Sequence, residues 1–198
     1  MYKDNIIFKV KAFILIKMST QLATQWVFEP THCKIGFSVR HFGISEVEGL
    51  FHKYEGTISN NTSDLSDFKV DFSVDVDSID THEQQRDDHL KSSDFFLAEK
   101  HPKLLFKSTS YQKVGDNNYT LVGDLTMRGV TKSVTLDVVF GGIIEKDPFG
   151  NTKAGFKITG IINRKDWGMT WNNLLDAGGV AVGNEVTINC HIQLLKTA

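Results

Sequence analysis

Only two cysteines, Cys33 and Cys190, occur among the 198 residues. Two thiols are too few for a disulfide scaffold or a thiolate metal cage. They lie near the two ends of the folded region, so a sheet pairing its first and last strands would bring them together. The simpler role is that of two small buried hydrophobes. Proline is scarce as well, at 3, and with 40% hydrophobic residues and 16 glycines the composition is that of a globular protein, not a disordered or fibrous chain. Neither sign of charge is in excess: 22 Lys+Arg against 24 Asp+Glu leave a net charge of -2. No stretch gathers five or six like charges, so the electrostatic footprint of a nucleic-acid groove is missing. Long apolar runs are absent too. The run Ala12-Phe13-Ile14-Leu15-Ile16 falls short of the ~7–15 residues of a secretory signal core and the ~20 of a membrane span. The 7 histidines include no His-x-x-x-His pair and no His-Glu-x-x-His helix, so no metal site is expected. There is no Gly-x-Ser-x-Gly elbow, and the glycines of 178–183 lack a Lys-Ser/Thr ending, so they read as a loop.

What the chain has in plenty is phenylalanine: 14 against 4 Tyr and 3 Trp. Most of its ring surface therefore has no polar handle and must be buried dry. From Trp26 onward the hydrophobic period is two. Cys33, Ile35, Phe37 and Val39 alternate with polar residues and glycine, and after a turn at Phe42-Gly43-Ile44-Ser45 a second run covers 46–58. Val70, Phe72, Val74 and Val76 alternate with Asp71, Ser73, Asp75 and Asp77, the sharpest half-buried strand in the chain. Further strands are expected around 104–106, 121–127, 134–140, 156–158 and 186–194, separated by turn signals at 115–118, Gly129, 147–151 and Gly178-Gly179. That makes about eight strands, enough for a sheet to close on itself and lose its edges. The fold class is all-β with a short helical insert, and a barrel is favoured over a sandwich.

The insert is the one break in the rhythm. Thr81 followed by Gln84 matches a capping box, the polar stretch 83–91 reads as a short helix with Leu90 as its apolar contact, and 93–97 reads as a turn ended by His101-Pro102. Such an insert would cap one mouth of the barrel. Residues 1–17 look like an upstream extension or degenerate leader, with Met18-Ser19-Thr20 as a second start. The expected division is therefore 1–23 as an N-terminal extension, disordered or a mis-assigned start, and 24–198 as one barrel domain. The expected address is cytoplasmic, with periplasmic as the alternative.

A resemblance sharpens this reading. The run HCKIGFSVRHFGISEVEGLF at 32–51, the segment RDDHLKSSDFF at 86–96, HPKLLF at 101–106, VGDLTMRGVTK at 122–132, NRKDWG at 163–168 and VGNEV at 182–186 resemble, in order and spacing, the YceI-like family of lipid-binding proteins. The likeness runs from Trp26 to Leu195, with Cys33 standing where the family commonly carries Ser. It implies an extended eight-stranded antiparallel lipocalin-like barrel that binds a long apolar molecule, such as a polyisoprenoid, an isoprenoid quinone or a fatty-acid derivative. It also implies a homodimer. The short apolar runs lead to the expectation of no integral membrane segment, with transient membrane contact at most.

The ligand candidates are the inward positions of the wall, Phe37, Val39, Phe51, Phe72, Phe106, Leu125, Met127, Phe140, Phe156 and Ile158. To these are added Leu90, Phe95 and Phe96 of the lid, and Trp167 and Trp171 as indoles at a rim. Gly123 is expected to leave interior space where a side chain would fill it. Arg86, His89, Arg164 and Asp166 are the head-group candidates, with Asp87 beside them; adjacent Arg and Asp residues serve equally as structural salt bridges. No catalytic residue, metal or cofactor is assigned. An eight-stranded barrel is either filled by its own side chains or holds one slender guest. Burying a chain gains about 0.8 kcal/mol per methylene, so a long tail binds without specific polar contacts. The leading function is thus non-enzymatic binding, transport or storage of a long-chain apolar lipid. The alternatives are an enzyme acting on such a lipid with a His and a carboxylate at the mouth, or a ligand-free structural module.

Overall fold

Alternating side chains need a wall with a dry face and a wet face, and the backbone supplies one by curling into a cylinder. The computed structural model describes residues 23–62, 65–175 and 178–197; the expectations for the N-terminal extension fall almost wholly outside them. The strands are β1 Thr24–Phe28, β2 Lys34–His41, β3 Ser45–Phe51, β4 Tyr54–Asn60, β5 Lys69–Asp75, β6 Ile79–Asp80, β7 Lys103–Lys113, β8 Asn118–Met127, β9 Val130–Ile144, β10 Lys153–Asn163 and β11 Val182–Lys196. One α-helix, α1, spans Gln84–Lys91 among the described residues.

These eleven strands make eight staves. β1 and β2 both lie antiparallel on β11, through Trp26↔Lys196 and Lys34↔His191, so together they are one stave broken by the 3-10 turn Pro30–His32. Pro30, with no N–H to donate, sits at the break. β3 lies on β2 and β4 on β1, which makes a second stave bent at His52 and Lys53. β5 lies on β4 and β6 on β3, a third stave. β7 to β11 follow in order as an up-and-down meander, and β11 returns to β1 and β2, closing an eight-stave antiparallel barrel. The eight runs read from the sequence are these staves. The expected single strand over 46–58 is two strands in line.

Local chemistry fixes the corners. Arg128 and Gly129 join β8 to β9 with φ of 50° and 74°, the two positive values that a two-residue type I′ hairpin requires. The helix start differs from the capping box expected at Thr81 and Gln84. Glu83 is the N-cap, its carboxylate accepting from the amides of Gln85 and Arg86. Thr81 is held by buried Asp87 instead, which accepts from its amide at 2.9 Å and its hydroxyl at 2.6 Å. On the far side of the third stave, β6 has no strand partner among the described residues; the last backbone bond there is Val76 N–H to the Pro102 carbonyl at 2.9 Å. The helix and the segment 92–102 occupy the gap between β6 and β7.

The buried residues form two clusters instead of one. The first gathers around Trp26, Phe51, Phe68 and Leu194, the second around Phe106, Leu121, Met127 and Trp167. Both draw on the half-buried residues Phe72, Phe156 and Ile158. A core divided in this way belongs to a wall around a space.

Candidate ligand-binding site

The space is a cavity of about 250 Å³ inside the barrel. By the same measure ~10–15 Å³ is enough to admit a water molecule. The phenylalanine rings do not meet throughout the interior. They pack along it in edge or tilted pairs, Phe37 with Phe51 at 5.7 Å, Phe51 with Phe96 at 6.1 Å and Phe28 with Phe72 at 5.4 Å between centroids. At one end the barrel does close on itself: Phe68, just before β5, meets Phe156 of β10 at 5.3 Å, and Trp26 meets Phe68 at 6.3 Å. Trp26 is buried with its indole N–H donating to Asn60 Oδ1 at 2.7 Å, so this end is a fixed floor.

The sequence candidates divide by position. Phe37, Val39, Phe51, Phe72, Phe106, Leu125, Met127, Phe156 and Ile158 line the cavity from the wall, and Leu90, Phe95 and Phe96 line it from the lid. Phe140 stands behind the lining and packs on Phe156 at 5.3 Å. Trp167 is buried in the second cluster, donating to the Leu125 carbonyl at 3.1 Å, and does not face the cavity. Trp171 packs outside the lining, tilted on Phe95 at 5.4 Å and T-shaped with His89 at 4.6 Å. Gly123 has a different role from the one expected. A Cβ there would come within 2.4 Å of Phe106 Cζ, so the phenylalanine ring already fills the space the glycine leaves.

The polar candidates do not converge. Arg86 donates to the hydroxyl and carbonyl of Thr81 and, with Asp87, clamps α1 to β6. His89 pairs with Asp94 at 2.9 Å outside the lining. Asp166 is exposed on the turn Arg164–Trp167. Arg164 alone faces the cavity. It is 3% exposed, and its guanidinium donates to the carbonyls of Gly183 at 2.8 Å, Met169 at 2.6 Å, Trp171 at 2.9 Å and Val182 at 3.4 Å. Burial pulls its pKa down from the usual arginine range. The lid is fastened from the other side by Arg128, whose Nη1 donates to the carbonyls of Ser93, at 2.9 Å, and Phe95.

Several lining residues escaped the sequence reading. Ile35, Val74, Leu121 and Val138 share the parity of residues already chosen on their staves, and Ile188 falls in the alternating run 186–194, so alternation alone would have found them. Phe68 and Met169 come from loops, where no period applies. Tyr111 was hidden by a β-bulge. On β7, Ser108 pairs with Gly123 but Ser110 with Val122, one residue out of step. The extra residue moves the inward face from even to odd numbers, from Leu104 and Phe106 to Tyr111. Both sulfurs are free thiols: Cys190 lines the cavity, burial pushing it up to about 11, and Cys33 contacts the backbone of Gln193.

Residues 26–194 match the model of the YceI-like domain. A UPF0312 protein of Staphylococcus aureus strain MSSA476 is 35% identical over 165 residues, covering 82% of this chain and 92% of that one. The crystal structure of the Campylobacter jejuni YceI protein superposes with a TM-score of 0.69 at 30% identity, covering 80% of this chain and 90% of the other. A polyisoprenoid binding domain from Saccharophagus degradans shares the fold, with a TM-score of 0.59 at 12% identity, over 87% of this chain and 98% of its own.

Proposed function

From the premise that the chain belongs to the YceI-like family, we propose that it binds, and carries or stores, a long-chain apolar lipid in the barrel interior without transforming it. The observation that carries this is the cavity: about 250 Å³, walled by aliphatic and phenylalanine side chains from the barrel and the lid. An apolar guest gains free energy there roughly in proportion to the surface it removes from water. The fold shared with the polyisoprenoid binding domain supplies the first ligand class to try. A catalytic reading finds less support, because the His89–Asp94 pair stands outside the lining and Arg164 has its hydrogen bonds taken up by backbone carbonyls.

The test is to purify the protein without detergent, extract it with organic solvent and analyse the extract by mass spectrometry, in parallel with thermal melts in the presence of prenyl and acyl compounds. A stoichiometric lipid, or a melting temperature that rises with added long-chain compound, is expected. An empty extract together with melts indifferent to every chain length would overturn the proposal.

A further inference from the structure

Among the described residues the lining carries two strongly polar side chains, and they stand at opposite ends. Arg164 follows the end of β10 beside the lid, and four carbonyls hold it. Tyr111 lies near the far end of β7, at the floor made by Phe68. Its hydroxyl is buried and, among the described residues, has no hydrogen-bond partner. A buried phenol ordinarily has one, and leaving it without costs more than the bond itself contributes.

Nothing about this phenol is loosely placed. Its ring stacks on Tyr119 at 4.8 Å and 9° and meets Phe68 in a T-shaped contact at 5.7 Å. The bulge that turns it inward is itself pinned: the Ser108 hydroxyl accepts from the Val70 amide at 2.9 Å, and the Thr109 hydroxyl donates to the Val122 carbonyl at 3.2 Å. The wall gives up one residue of ladder register at this place and thereby turns the tyrosine to the chamber side, where the residue joins the lining while its hydroxyl stays covered by its neighbours.

We propose that Tyr111 is the polar anchor of the guest: a ligand that parts the side chains covering the hydroxyl accepts its hydrogen bond on a neutral oxygen, a carbonyl, ester or alcohol, and so lies head-down on the floor with its tail toward the lid. The proposal rests on the lipid-binding reading and deepens it. Burial raises the phenol's pKa above its ordinary value, which keeps it protonated and therefore a donor. A charged head group is disfavoured there, because the surrounding rings offer no counter-charge to replace lost hydration.

The experiment compares the wild type with Tyr111→Phe, which keeps the ring and both aromatic contacts. The probes are geranylgeraniol and the same prenyl chain ending in a methyl group, each displacing a fluorescent fatty probe. Wild type is expected to favour the alcohol by about five- to tenfold, and Tyr111→Phe to lose that preference while holding the hydrocarbon as before. Thermal melts give a second readout. The variant should be as stable as wild type or more so when empty, but should gain less from the alcohol. An unchanged alcohol-to-hydrocarbon ratio in the variant would overturn the Tyr111 assignment alone. Failure of both chains to displace the probe from either protein would overturn the lipid-binding reading itself.

Discussion

At the scale of single residues, the polar side chains at the two ends mostly serve as fasteners. Lys153 bridges Glu29 at 2.7 Å and Asp147 at 3.1 Å, and all three are largely covered. The Asn151 amide, foremost, and then Lys153 and the Phe149 amide hold the Asp147 carboxyl down at about 2 against the opposing effect of burial. A carboxyl with a depressed folded-state pKa stabilises the fold above its unfolded value, near 3.9, and stops doing so as the pH falls through its folded value. Asp147→Asn should therefore lower the melting temperature at pH 7, with the gap to wild type closing between about pH 4 and pH 2 in a pH series of melts. Asp87 offers a second case. It is buried and accepts two hydrogen bonds from Thr81, so Asp87→Asn should cost about 2 kcal/mol in urea unfolding. The sequence showed an Arg-Asp pair at 86 and 87; that both would grip one threonine depends on the path of β6, which no local pattern reveals.

At the scale of elements, the lid depends on an anchor outside itself. Arg128, fixed in the β8–β9 hairpin, reaches across to two carbonyls of the segment after α1. Arg128→Ala should release that segment at a cost of order 1 kcal/mol, about fivefold in the rate at which a bound fluorescent lipid dissociates. Amides 93–97 should lose exchange protection at the same time. The strands were the most legible elements, because a two-residue period survives in any sequence whose one face is dry. Val70, Phe72 and Val74 announced β5 that way. The bulge in β7 was illegible for the same reason: Ser108, Thr109 and Ser110 are all small and polar, so they leave no apolar phase from which a slip could be seen. Tyr111 was lost with it.

At the scale of the whole molecule, the number of staves and their closure were readable from turns and alternation, but the hollow was not. Whether rings of this number meet in the middle depends on barrel width and rotamers, and Gly123, which promised room, instead accommodates Phe106. Narrowing the chamber tests the consequence. Ile158 lies on β10 at mid-height, opposite Val138 and Cys190 in register, and faces the cavity. Ile158→Trp should fill the void, weakening long-chain capture roughly tenfold or more in a displacement titration while leaving the empty protein's melting temperature level or higher.

The unpaired flank of β6 has a further consequence. Where two staves share a ladder of interstrand bonds, separating them means breaking that ladder at once, a cooperative and slow event. Along the β6 flank, among the described residues, no ladder forms and side chains such as Arg86 and Asp87 make the hydrogen bonds to Thr81, so the cylinder has a seam there. A guest too long to turn inside the tube could pass sideways through it, at the cost of repacking a few apolar contacts and with the rest of the wall still folded.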